Sequence, residues 1–103
     1  MAEVKVHVYR DSEGEFRVYP PVVVLHLATD DRMILKNHTG EDLLWDVPAG
    51  PFAASHRQDI AGGDDGGGDA TQAQTPAAVS YLVYMVGSRR NAKGNSDPIL
   101  IVE

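Results

Sequence analysis

Short runs in which apolar and polar residues alternate recur along the chain, and each run ends in a turn signal. Glu3–Tyr9 alternates strictly, with a valine at every second position. A period of two is typical of a β-strand with one buried face. Turn-forming residues such as Asp11–Gly14 and His38–Glu41 close successive runs. Because no strand alternates with a helical segment, the parallel α/β classes are disfavoured. The pattern predicts an all-β fold, an antiparallel Greek-key β-sandwich of about seven short strands.

Two apolar segments refine this prediction. Val22–Leu27 is almost continuously apolar, a pattern that favours a strand covered on both faces. Near the end of the chain, Tyr81–Val86 and Pro98–Val102 flank the turn-rich segment 87–97. These two runs are expected to form the last strand pair of the sandwich.

Composition changes between residues 52 and 78. Glycine, alanine, aspartate, glutamine and threonine replace the β-branched residues, and Gly62–Asp69 is low-complexity. Such a composition is typical of solvated surface chain. We therefore predict a single domain spanning 1–103, with one long, variable Gly/Asp-rich loop at 52–78.

Composition and charge limit the possible partners. The chain has 103 residues, no cysteine and a formal net charge of −6. This acidic balance disfavours binding to nucleic acid or to an anionic membrane surface, because both attract cationic proteins. No segment has the length and apolarity of a membrane span or of a signal peptide. The expected location is cytoplasmic if Met1 is the native start, and extracytoplasmic if a leader was removed. The sequence leaves the oligomeric state open.

Two stretches, in this order, resemble the cupredoxins, the blue-copper β-sandwiches. Leu35–Asp46 resembles the family's strand, Asn-x-x-Gly turn and following strand, in which a histidine ligand comes three residues after the glycine. Tyr81–Met85 followed by Ile99–Val102 resembles the family's Tyr-x-Phe-Tyr-Cys strand, ligand loop and closing strand. The resemblance covers Val22–Glu103 and, more loosely, the first strands. It implies a cupredoxin-like fold.

The same resemblance implies that the family's copper ligands are replaced. The first histidine position falls on Leu43 and the cysteine position on Met85. The second histidine position falls near Ser88, and the weak axial methionine position near Lys93. Blue-copper sites require a cysteine thiolate, and this chain has none. We therefore predict no type 1 copper site and no resident cofactor, and we expect apolar packing to fill the pocket.

Other chemistry receives weaker support from the sequence. No nucleophile elbow or paired-carboxylate site is recognisable, so no catalytic residues are assigned and an enzyme is not expected. Histidines stand at positions 7, 26, 38 and 56, and no two have the spacing that places ligands on one face of a strand or helix. An alternative hypothesis is a copper or zinc protein that uses histidines in a geometry foreign to the family. It would involve His38, with His56 or a methionine.

The preferred prediction is a non-enzymatic binding module with an unidentified protein partner. In the family, the loop between the last strands flanks the metal and forms a docking patch. Here that loop contains Arg89, Arg90 and Lys93 on an otherwise acidic protein, and Tyr84 lies in the strand before it. A basic patch of this kind favours an acidic partner. For this loop taken alone, a solvated turn is the favoured interpretation, and the partner surface is the alternative.

Overall fold

The computed structural model describes residues 3–29, 31–49, 56–69, 77–92 and 97–103. Over these ranges it contains eleven β-strands and one 3-10 turn, Leu27–Thr29. The strands are β1 Glu3–Arg10, β2 Phe16–Tyr19, β3 Val22–Leu25, β4 Arg32–Asn37, β5 Leu43–Val47, β6 His56–Ile60, β7 Asp65–Asp69, β8 Ala77–Ser80, β9 Leu82–Met85, β10 Arg90–Asn91 and β11 Ile99–Val102. No helix in the described ranges is long and apolar enough to cross a membrane.

The strands form three hydrogen-bonded sheets. Their orders are β2-β1-β4-β7, β10-β9-β5-β6 and β3-β11-β8. Alternation along each strand sends one set of side chains inward, and these meet in a single apolar core. In β5, for example, Leu43, Trp45 and Val47 are all fully buried. The predicted all-β class and sandwich architecture are confirmed.

Two strand pairings are parallel rather than antiparallel as predicted. β1 runs parallel to β4, and β3 runs parallel to β11. In each pair the strands are distant in sequence, and the chain enters another sheet between them. A chain that crosses between sheets can return in either direction. Local alternation indicates which face of a strand is buried but not the direction of its neighbour.

The final strand pairing also differs from the prediction. β11 pairs with β8, with Leu100 opposite Val79, whereas β9 pairs with β5 and β10. Tyr81 separates β8 from β9, and its backbone N–H donates to the carbonyl of Pro98 at 3.0 Å. The extended segment therefore begins at Ala77, before the apolar run Tyr81–Val86. Its first half, β8, pairs with β11, and its second half, β9, pairs with β5 and β10.

The predicted loop at 52–78 is wrong where the structure describes it, because β6, β7 and the start of β8 lie within it. β7 pairs antiparallel with β4 through its glycines. A Cβ on Gly66 would lie 2.5 Å from Cδ1 of Ile60, and one on Gly67 would lie 2.5 Å from a guanidinium nitrogen of Arg32. These glycines allow close packing on both faces of β7, so the low-complexity composition indicates tight contact rather than solvation. Residues 52–55 and 70–76 of the predicted loop lie outside the described ranges.

The apolar run Val22–Leu27 is not covered on both faces, which corrects the second prediction. Val23 and Leu25 are buried, whereas Val22 and Val24 are 47% and 37% exposed. The strand ends at Leu25, where the Asp31 carboxylate accepts a hydrogen bond from the His26 backbone N–H at 3.0 Å. β3 is an outer strand of its sheet, and exposed valines on such a strand give the same sequence pattern as a strand buried on both faces.

Candidate functional site

β5 and β9 bring together the two positions that the family resemblance assigns to a histidine and a cysteine ligand. Leu43 in β5 lies directly opposite Met85 in β9. Both side chains are fully buried, and the next inward pair is Trp45 opposite Val83. Burial of each such apolar side chain contributes about 1.5–3 kcal/mol to stability. The pocket that the resemblance implies is thus part of the continuous core.

Asn37, at the end of β4, organises the turn that leads into β5. Its side chain is almost completely buried. Nδ2 donates to the backbone carbonyls of Glu41 at 2.9 Å, Ile60 at 3.1 Å and Ala61 at 3.2 Å. Oδ1 accepts from the backbone N–H of Thr39 at 3.0 Å and from its hydroxyl at 2.7 Å. One amide therefore joins the turn after β4 to the turn after β6. The Asn-x-x-Gly pattern signalled the turn, but not this second connection.

Glu41 joins the same turn to the segment that follows β9. Its Oε1 accepts a hydrogen bond from the Ser88 backbone N–H at 2.9 Å, and its Oε2 accepts one from the Ser88 hydroxyl at 2.8 Å. These bonds, chiefly the hydroxyl one, hold the pKa of the Glu41 carboxyl below its usual value. A Cβ on Gly87 would lie 3.3 Å from this carboxyl group, so glycine gives the carboxylate room. Ser88, which the resemblance places near the second histidine ligand, thus fastens two turns together.

The predicted partner residues occupy two different faces. Arg89 is exposed in the turn after β9, with a left-handed φ of 55°. Arg90, opposite Met85, lies over the Phe16 ring at 6.0 Å and 3.5 Å from a carboxylate oxygen of Glu15. Tyr84 is opposite Asn91, on the outer face of β9, because successive residues of a strand point to opposite sides. The structure therefore groups Arg89 with Arg90 at the end of the sandwich and separates Tyr84 from them. Lys93 lies outside the described residues.

The four histidines are distributed differently from the predicted arrangement. His38 has His7 as its neighbour, with Nδ1 of His7 and Nε2 of His38 2.8 Å apart. His56 packs edge-on against Trp45, with ring centroids 4.7 Å apart, and His26 lies 3.9 Å from a carboxylate oxygen of Glu103. Sequence spacing missed the pair because its members are 31 residues apart, with His7 in β1 and His38 directly after β4. Among the described residues, no group of three or more His, Cys, Asp or Glu side chains could hold a metal ion.

Comparison with known proteins bears on the fold. No family model matches the chain, and no curated protein matches it in sequence. One matching solved structure is an NMR solution structure of a copper binding protein in its apo form. Its TM-score is 0.56 at 15% identity, over 98% of this chain and 86% of that chain. Another is auracyanin B, with a TM-score of 0.56 at 13% identity, over 99% of this chain and 88% of that chain. The predicted cupredoxin-like fold is confirmed; at this identity the likeness concerns the fold alone.

Proposed function

We propose that this chain is a non-enzymatic interaction module on a cupredoxin-like fold that carries no type 1 copper site. The observation that carries the proposal is the buried pair of Leu43 and Met85. A type 1 site needs a cysteine thiolate and two imidazoles, and the chain has no cysteine. Leu43 has no donor atom, and Met85 has only a thioether. The residues at these positions do not fit the copper ion of the family.

The turns at this end are held by internal hydrogen bonds, which favours a binding role. Asn37 fixes the turn after β4, and Glu41 fastens that turn to Ser88. A surface that is already ordered loses little conformational entropy when a partner binds. The fold thus presents the turns 38–42 and 86–90 as a preorganised surface, which we call the turn surface.

Charge indicates the kind of partner. Arg89 and Arg90 are exposed on the turn surface, and Arg10 shares the Phe16 ring with Arg90, at 5.6 Å from the ring centroid. These cations lie on a protein whose net charge is −6. The basic patch attracts an acidic partner, whereas the acidic remainder of the protein repels it, so the partner approaches in one orientation. We therefore assign the turn surface to an acidic protein partner.

Charge reversal tests this assignment. Partners are first captured with the wild-type chain, and their affinity is then measured for the double variant Arg89→Glu, Arg90→Glu. We expect a loss of about tenfold or more, about 1.4 kcal/mol, together with a weaker salt dependence. Arg57→Glu changes an exposed arginine of β6 and is the matched control. Unchanged affinity of the double variant for every captured partner would show that binding does not use the turn surface.

A further inference from the structure

Two histidines distant in sequence meet on the outer face of the first sheet. β1 and β4 are parallel, with Val8 opposite Asn37. The backbone N–H of His38 donates to the carbonyl of Val8 at 2.8 Å, which continues the pairing one residue beyond β4. This places the ring of His38 beside that of His7. The ring planes differ by 20° and the centroids are 5.0 Å apart, so the rings meet edge to edge through their facing nitrogens.

The facing nitrogens are at hydrogen-bond distance and can become metal ligands when that bond breaks. Nδ1 of His7 and Nε2 of His38 are 2.8 Å apart, a hydrogen-bond distance, so at least one of them carries a lone pair. A neutral imidazole can hold its proton on either nitrogen. Moving the donor's proton to its other ring nitrogen leaves two lone pairs on adjacent atoms. This requires no new charge and no movement of the backbone, but the two lone pairs then point towards each other, so the side chains must rotate before both nitrogens can face one ion.

We propose that Nδ1 of His7 and Nε2 of His38 form a two-nitrogen surface site for a divalent transition-metal ion, with Cu(II) preferred. The proposal goes beyond the proposed function, because the site needs no protein partner, and of its two ligands only His38 belongs to the turn surface. It is also separate from the buried Leu43–Met85 pair. Imidazole nitrogens are suitable ligands for copper, nickel and zinc.

The preference for Cu(II) follows from the general order of divalent affinities, which places Cu(II) above both Ni(II) and Zn(II). Two neighbouring imidazoles can fill adjacent positions of the square-planar or tetragonal geometry that Cu(II) favours. The 2.8 Å between the nitrogens is the hydrogen-bond distance of the metal-free pair, so it does not set the angle at the metal.

The surroundings leave the site open. His38 is exposed and His7 is partly exposed, so an ion can enter without displacing the core. Lys36, opposite His7 in β4, has its ammonium group 3.5 Å from a carboxylate oxygen of Asp65, which offsets its repulsion of a cation. No third His, Cys, Asp or Glu completes the group among the described residues. The remaining coordination positions are therefore occupied by water or by donors from another molecule.

Titration of the full chain with Cu(II) tests the site. Calorimetry measures the stoichiometry, and electron paramagnetic resonance counts the coordinated nitrogens. We expect one equivalent with two nitrogen couplings in the wild type, and weaker binding of both Ni(II) and Zn(II). His7→Ala and His38→Ala should each lose one coupling and most of the affinity, whereas the matched control His26→Ala should bind as the wild type does. Thermal melting checks that each variant is folded.

Three outcomes would overturn the proposal. They are no Cu(II) binding by the wild type, undiminished binding by the folded His7→Ala, His38→Ala double variant, and loss of binding in only one of the two single variants. None of them concerns partner binding by Arg89 and Arg90, because the titration contains no protein partner. Failure of this site and failure of the proposed function are therefore distinguishable.

Discussion

Replacement of Asn37 by alanine should destabilise the protein more than any surface substitution. The Asn37 side chain is 2% exposed, and its amide contacts three backbone carbonyls and both donors of Thr39. Alanine removes the amide and leaves these groups without their partner. The turn before β5 and the turn after β6 lose their connection.

The size of the effect follows from the number of bonds. Nδ2 has two hydrogens and Oδ1 accepts two bonds, so four hydrogen bonds are lost on a conservative count. At about 0.5–1.5 kcal/mol net each, their loss amounts to about 2–6 kcal/mol. Water can reach part of the turn, and we therefore expect a loss of about 3 kcal/mol. That is a large share of the roughly 5–15 kcal/mol by which a domain is stable.

Urea denaturation measures this loss as a decrease in the free energy of unfolding at constant m value. Asn91→Ala, at an exposed position of β10, is the matched control and should change stability by less than about 0.5 kcal/mol. A loss below about 1 kcal/mol for Asn37→Ala, with an unchanged m value, would refute the role assigned to this amide.

Three further substitutions test other parts of the site. Leu43→Ala should lower the free energy of unfolding by about 2–5 kcal/mol, because it leaves a cavity in the core. The control Leu44→Ala, at an outward-facing position, should lower it far less. Equal losses in urea denaturation would contradict the packing argument. Gly66→Ala should destabilise the protein by about 1–3 kcal/mol through overpacking. Gly40→Ala is its control, because a Cβ at that position would meet nothing within 4 Å. Unchanged stability of Gly66→Ala would show that β7 is loosely packed. The pKa of Glu41 is lowered by folding, so its contribution to stability is present above the usual pKa of 4.5 and is lost as pH falls through the lower folded value. Glu41→Gln should therefore flatten the stability profile in acid, and a profile parallel to that of the wild type would argue against this role.

The candidate site was predictable only in part. The positions of Leu43 and Met85 on strands followed from alternation and from the family resemblance, and the structure places both in the core. Tyr84 and Arg90 lie on different faces, because Arg90 is opposite Met85 and Tyr84 is opposite Asn91. The partners of Asn37, Glu41 and His38 were not predicted, because each lies on a segment distant in sequence.

The sequence by itself determined the all-β class, most of the strands and the inward face of those with strict alternation. These properties are local, because an extended backbone places successive side chains on opposite sides of the strand. When one side is buried, apolar residues therefore occur at every second position. Only the tertiary structure decided the parallel pairings of β1 with β4 and of β3 with β11, the ordered strand formed by Asp65–Asp69, and the meeting of His7 with His38. Pairing depends on backbone hydrogen bonds between distant segments, and every residue except proline offers the same backbone donor and acceptor. The side-chain pattern therefore leaves the choice of neighbour open until the sheets pack together.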